Sequence, residues 1–171
     1  DQRRQFVARA AANDWDGIIM TQSAFKSIGV TPEAEAIYLR REIALLETAR
    51  ADAQAADKPN LKQIQKAKLA LEQKLAAELD KPHDPGLTFE AMGVDYLVVD
   101  EAHMYKNLTT PSKIPGAGKA KGSDMARDMH MKLELLRARH GDRVATMATA
   151  TPLANSVTEA YVMQRYLRPD L

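Results

Sequence analysis

The sequence predicts an α/β fold: a parallel sheet with helices on its faces, interrupted by a long antiparallel helical hairpin. Short apolar runs end in polar clusters at Thr21-Gln22-Ser23, at Asp100-Glu101 and at Thr149 to Thr151, which is how buried parallel strands read. Helical patterns separate those runs, as helices alternating with parallel strands do. A tract rich in Ala, Leu, Glu and Lys, from Glu33 to Asp80, divides the first run from the second.

In chain order, Gln2 to Ala12 reads as a helix with Phe6 and Val7 inward and Arg3, Arg4 and Arg9 outward; Asn13 and Asp14 break it. WDGIIMT, Trp15 to Thr21, is expected as a buried strand. QSAFKSIG is then a turn or short helix stopped by Gly29. Thr31-Pro32 opens a helix, Thr as cap and Pro at the first helical position. Leu39, Ile43, Leu46 and Ala53 make one stripe; Leu61, Ile64, Leu71 and Leu75 make another. Their spacings alternate between three and four, as a narrow helix–helix seam requires, with Pro59-Asn60 at the turn. Charges in this tract nearly cancel, which favours a solvated hairpin packed on itself over a coiled coil that binds a partner.

KPHDPG, Lys81 to Gly86, ends the hairpin, and YLVVDE is the second strand. Residues 107 to 122, rich in Thr, Pro, Gly and Lys, read as a loop. Ser123 caps a helix to about Arg139, with Met125, Met129, Leu133 and Leu136 inward and Gly141 as its stop. RVATMATAT is the third strand. SVTE, Ser156 to Glu159, is a capping box for a last helix, Val157 to Leu167.

The bulk properties exclude several classes. The 171 residues suffice for one domain with a core. A formal net charge of +1 gives no strong global attraction to nucleic acid, although a local patch is compatible with it. The absence of cysteine removes disulfides and thiolate metal sites. No apolar stretch approaches a membrane span and no signal peptide opens the chain, so a cytoplasmic location is expected. The first residue is Asp rather than Met, which suggests an internal piece of a longer protein.

A carboxylate at the tip of a buried strand is rigidly placed at the sheet edge, where chemistry gathers in such folds. Magnesium takes one or two protein carboxylates together with phosphate oxygens, so Asp100 alone would suffice as its protein ligand. Glu101 beside it could orient or deprotonate an attacking water, and His103 could link the pair to a neighbouring element. This is a phosphoryl-transfer layout. His83, His103, His130 and His140 form no H-E-x-x-H spacing, so zinc is not expected. Met125, Met129, Met131 and Met147 read as core fillers.

LVVDEAH resembles motif II of superfamily 2 helicases and translocases, the DEAH form of the Walker B box. DEAHMYKNL is similar to the Swi/Snf-type branch, in which Lys-Asn follows the box by three residues. ATATPLANSVTEAYVMQRYLRPDL resembles that branch's motif III and the helix after it. Thr149, Thr151, Pro152, Leu153, Asn155, Glu159, Leu167 and Pro169 match, while Ala150 replaces the usual Gly and Ala160 the usual Leu. DGIIMTQSAF resembles the upstream motif that touches the nucleic-acid backbone. Taken together, these motifs also resemble those of large helicase-like proteins of phage and mobile elements, sometimes fused to DNA methylases.

The resemblance implies a partial RecA-like three-layer parallel sheet, with residues 1–30 and 83–171 as its parts and 31–82 as the inserted hairpin. It implies that Asp100 binds the Mg²⁺ of MgATP and that Glu101 is the catalytic base. His103, Thr149 and Thr151 would couple the nucleotide site to a duplex DNA track. Thr21, Gln22, Ser23 and Lys106 would lie at the DNA backbone, and Lys113, Lys119 and Lys121 add a basic loop beside them. No phosphate-cradling loop G-x-x-x-x-G-K-S/T is present. PGAGKAKGS, Pro115 to Ser123, is not one: Lys113, two residues before it, takes the place of the first glycine, and Ala120 that of Ser or Thr. The second motor lobe with its arginine finger would lie beyond Leu171. The expectation is therefore a fragment of a DNA-stimulated ATP-dependent translocase, inactive by itself. The competing reading is a non-catalytic interaction module on a degenerate ATPase scaffold, using the hairpin; intact Asp100 and Glu101 argue against it.

Overall fold

The computed structural model describes residues 2–55, 61–80, 88–110, 122–153 and 156–170. Its helices are α1 (Gln2–Ala12), α2 (Gln22–Ser27), α3 (Pro32–Ala55), α4 (Leu61–Leu79), α5 (Asp124–His140) and α6 (Val157–Leu167). Two strands, β1 (Leu97–Val99) and β2 (Ala145–Met147), pair in parallel, and 3₁₀ turns form at Phe89–Met92 and Ala102–Tyr105.

The described residues are mostly helical, which corrects the expected RecA-like three-layer sheet. Leu97 pairs with Ala145, Val98 with Thr146 and Val99 with Met147, and the ladder ends there. Residues 15–21 do not join it. They run without regular structure, Ile19 is fully exposed, and Trp15 turns its indole N–H back to the Arg9 carbonyl at the end of α1 (3.2 Å). A cleft of about 1040 Å³ lies between this segment and β1. An apolar run specifies burial, and it becomes a strand only when a neighbouring edge takes up its backbone groups. Val98 and Thr146 are exposed, so among the described residues no helix covers that face of the strand pair.

The hairpin forms as its stripes require. Leu39, Leu46 and Ala53 of α3 and Ile64 and Leu71 of α4 are buried, with Ile43, Leu61 and Leu75 packed beside them. Glu35 meets Lys74 at 2.7 Å and Glu47 meets Lys68 at 3.0 Å; partner numbers fall as positions rise, so the helices are antiparallel. The hairpin does not stand alone on its own seam. A polar layer fastens the first half of α3 to α5 and α6: Tyr38 to His130 (2.8 Å), Arg41 to Glu134 (2.7 Å) and Glu42 to Arg165 (3.1 Å). Burial holds His130 down to about 2, so it stays neutral at neutral pH, and burial also raises Tyr38.

The core centres on α5. Ser123 Oγ accepts the Ala126 N–H (3.1 Å), and Gly141 ends the helix at φ 83°. Met129, Leu133 and Leu136 are buried, as their spacing requires. The fully buried Tyr166 of α6 donates its hydroxyl to the carbonyls of Tyr105 (2.8 Å) and Ala126 (3.0 Å), tying α6 to both the turn and α5. The capping box of α6 is not made: Ser156 forms no side-chain cap bond. Glu159 is buried instead and reaches Lys106 at 3.3 Å, because a buried carboxylate is stabilised more by a cation than by a backbone amide. Among the described residues, no helix is long and apolar enough to cross a membrane.

Candidate active site

β1 carries its last apolar side chain, Val99, into the core and then delivers Asp100 and Glu101 to the surface. The chain turns abruptly there. Glu101 sits at φ 51° and ψ 46°, the left-handed region, as the one non-glycine residue with positive φ among those described. Such a backbone costs a side-chain-bearing residue roughly 1–2 kcal/mol and persists where its surroundings impose it. The Glu101 N–H donates to Asp100 Oδ1 (2.9 Å), and Gln22 Nε2 donates to the Asp100 carbonyl (3.0 Å). Ala102 N–H then donates to the Ala148 carbonyl (2.9 Å), and Ala148 N–H to Val99 (2.8 Å). The ends of β1 and β2 are thus stitched together just below the carboxylates.

Above that stitch, one histidine nitrogen serves two partners. His103 Nδ1 lies 3.0 Å from Glu101 Oε2 and 3.1 Å from Thr149 Oγ1. A single N–H on Nδ1, shared between the two oxygens, satisfies both distances. Thr149 Oγ1 also accepts the Thr151 N–H (3.1 Å), so its orientation is set by the turn after β2. The structure therefore brings together Asp100, Glu101, His103, Thr149 and Thr151, which the sequence singled out across more than forty positions.

The other expected site residues fare differently. Thr21 caps α2 by accepting the Ala24 N–H (3.2 Å). Gln22 turns to Asp100, and Ser23 is exposed in the first turn of α2. Lys106 is engaged by Glu159 and only 15% exposed. Lys113, Lys119 and Lys121 lie outside the described residues, as do Pro59-Asn60, Lys81 to Gly86 and Asn155.

The sequence reading missed Lys132. It is fully buried, its ammonium 2.7 Å from the Phe25 carbonyl, 2.8 Å from Asp128 and 4.1 Å above the Phe25 ring. Burial lowers its pKa against the pull of Asp128, and burial raises that of Asp128 against the pull of Lys132. Its signal was legible: Lys132 falls three residues after Met129 and four before Leu136, on the buried stripe, with Asp128 one turn back. Nothing in the sequence marked the bond from Gln22 to Asp100.

No group of three or more His, Asp or Glu side chains placed to hold a metal occurs among the described residues. Asp100 offers one exposed carboxylate, with Oδ1 accepting the Glu101 amide. That donor set is too small for a resident ion of its own. It fits one protein ligand to a magnesium ion that shares its shell with phosphate oxygens and water.

The chain matches, over residues 1–171, the family described as a probable helicase domain, and it belongs to that family. It is also similar to the "Defense against restriction protein B" of Escherichia phage P1, with 34% identity over 85 residues. That match covers 47% of this chain and 4% of the phage protein, so the chain spans a small part of that relative. No solved structure matches.

Proposed function

We propose that this chain is part of the motor of a Swi/Snf-type, DNA-stimulated ATP hydrolase that translocates on duplex DNA, and that it carries the hydrolytic acid pair. The observation that carries the reading is the convergence of Glu101 and Thr149 on the Nδ1 of His103, with Thr149 reaching it across 46 residues of chain. A strand that merely ended in acidic residues would have no reason to tie them to the next strand.

In this reading Asp100 is the protein ligand to the magnesium of MgATP, which supplies charge neutralisation at the phosphates. Glu101 accepts the proton of the attacking water. Its Oε2 is held by His103, which fixes the carboxylate without occupying Oε1. His103 passes any shift of the Thr149–Thr151 turn to Glu101, which makes that turn the coupling element. Thr21 and Ser23, on either side of the Gln22 that meets Asp100, are the DNA-backbone contacts of this reading, with Lys113, Lys119 and Lys121 as further ones. Lys106 contributes by orienting the chain through Glu159 rather than by meeting phosphate. The hairpin of residues 31–82 is an insertion between the DNA-contacting segment and the acidic box. The phage relative is named for defence against restriction, and a role on DNA agrees with that name.

The test is ATP hydrolysis by the full-length protein, with and without duplex DNA, beside Glu101→Gln. Stimulated hydrolysis reduced by about 10²-fold or more in the variant is expected, the usual contribution of a positioned base. A wild type that binds DNA without hydrolysing ATP would move the assignment to a non-catalytic module. Residues 1–171 alone, lacking a G-x-x-x-x-G-K-S/T loop, are expected to show no turnover.

A further inference from the structure

We infer that Gln22 is a positioning residue for the acid pair: it holds the Asp100–Glu101 peptide in the orientation that turns Glu101 out of the strand. The inference rests on the hydrolytic reading of Glu101 and deepens it by naming the segment that controls it.

The peptide between Asp100 and Glu101 is gripped at both ends. Its carbonyl accepts from Gln22 Nε2 at 3.0 Å, and its N–H donates to Asp100 Oδ1 at 2.9 Å. This is the peptide that leads into the left-handed conformation at Glu101. A non-glycine residue keeps that conformation only where neighbours over-determine it. The Ala148 carbonyl holds the Ala102 N–H on the far side of Glu101, and Gln22 holds the peptide on the near side. It reaches across 78 positions of sequence.

Gln22 also acts from a firm base. It is the first residue of α2, whose preceding Thr21 caps the helix. The Phe25 carbonyl one turn later is bound by the buried Lys132 ammonium of α5. A route of hydrogen bonds therefore runs from the core, through α2, to the backbone of the acid pair. Displacing the first turn of α2 would rotate that peptide without touching either carboxylate. The amide of Gln22 is thus directed at the backbone of the acid pair.

The experiment uses the full-length protein with Gln22→Ala, Gln22→Glu and Gln22→Lys. It measures ATP hydrolysis with a linear duplex DNA, the affinity for that DNA, and amide exchange of the peptide spanning 97–105. Gln22→Ala and the isosteric non-donor Gln22→Glu are expected to lower kcat roughly tenfold, with KM for ATP and DNA affinity in Gln22→Ala within about twofold. Exchange over 97–105 accelerates in both, and Gln22→Lys, which retains a donor, recovers most of kcat and of the protection. Unchanged kcat with weakened DNA binding would make Gln22 a DNA contact and overturn the inference. Unchanged exchange over 97–105 would overturn it too. If Glu101→Gln hydrolyses ATP like the wild type, the hydrolytic reading fails, while the exchange measurement still judges whether Gln22 holds this peptide.

Discussion

His103 and His130 show two uses of one side chain. His103 is part-exposed at the end of β1, where its Nδ1 joins Glu101 to Thr149. His130 is buried at the foot of the hairpin, bonded to Tyr38 and pressed by the charges of Arg165, Arg137 and Arg41, so it stays neutral. The first lies among carboxylates and hydroxyls that solvent can reach, on a strained backbone turn. The second lies in a polar layer whose charges are paired: Arg41 with Glu134, Glu134 with Arg137, Arg165 with Glu42. Arg137 further donates to the Tyr166 carbonyl. The two environments divide the molecule into a paired scaffold and a solvated edge. The layer around α3, α5 and α6 ties the helices together, and the edge of the strand pair leaves Asp100 and Glu101 open to solvent.

The largest expected effect breaks the scaffold side. Lys132→Ala removes the cation from the part-buried Asp128 and the donor from the Phe25 carbonyl, and should cost about 3–5 kcal/mol in chemical denaturation. Replacing both partners, Lys132→Met with Asp128→Leu, should recover most of that loss. A double variant no more stable than Lys132→Ala would mean that the Phe25 contacts, rather than the ion pair, carry the anchorage.

The pH dependence sharpens the contrast between the two histidines. His130 has a folded pKa of about 2, below its unfolded value of 6.5, so the unfolded chain binds the proton first. Its contribution is intact above about pH 6.5 and declines as pH falls toward about 2, by about 1.4 kcal/mol per pH unit within that window. His130→Gln, neutral at every pH, should remove that slope when stability is measured from pH 7 to 4. Parallel curves for variant and wild type would show that His130 is not the group responsible.

The smallest expected effect falls on the open side. Glu101→Gly should be more stable than Glu101→Ala by about 1 kcal/mol, because glycine adopts positive φ without steric penalty. Equal stabilities would mean that the turn relaxes when the side chain is cut, and that the left-handed backbone is imposed by Glu101 itself.

Much of this was written locally. The caps at Thr31 and Ser123, the stop at Gly141, the stripes of the hairpin and the inward methionine and leucines of α5 all follow from spacing within a few turns of chain, where i, i+3 and i+4 are neighbours whatever the rest does. The acid pair was legible too, because an apolar run that stops at two carboxylates must deliver them to an edge. Tertiary structure alone decided whether each apolar run became a strand. Leu97–Val99 found a partner in Ala145–Met147, whereas residues 15–21 found none and lie across a cleft. It also decided the use of each polar group: Glu159 took Lys106 instead of closing its capping box, and Gln22 took the Asp100 carbonyl. Backbone and polar side chains are satisfied by whichever partner folding brings within hydrogen-bonding reach, and that choice is made between segments a sequence window never sees together.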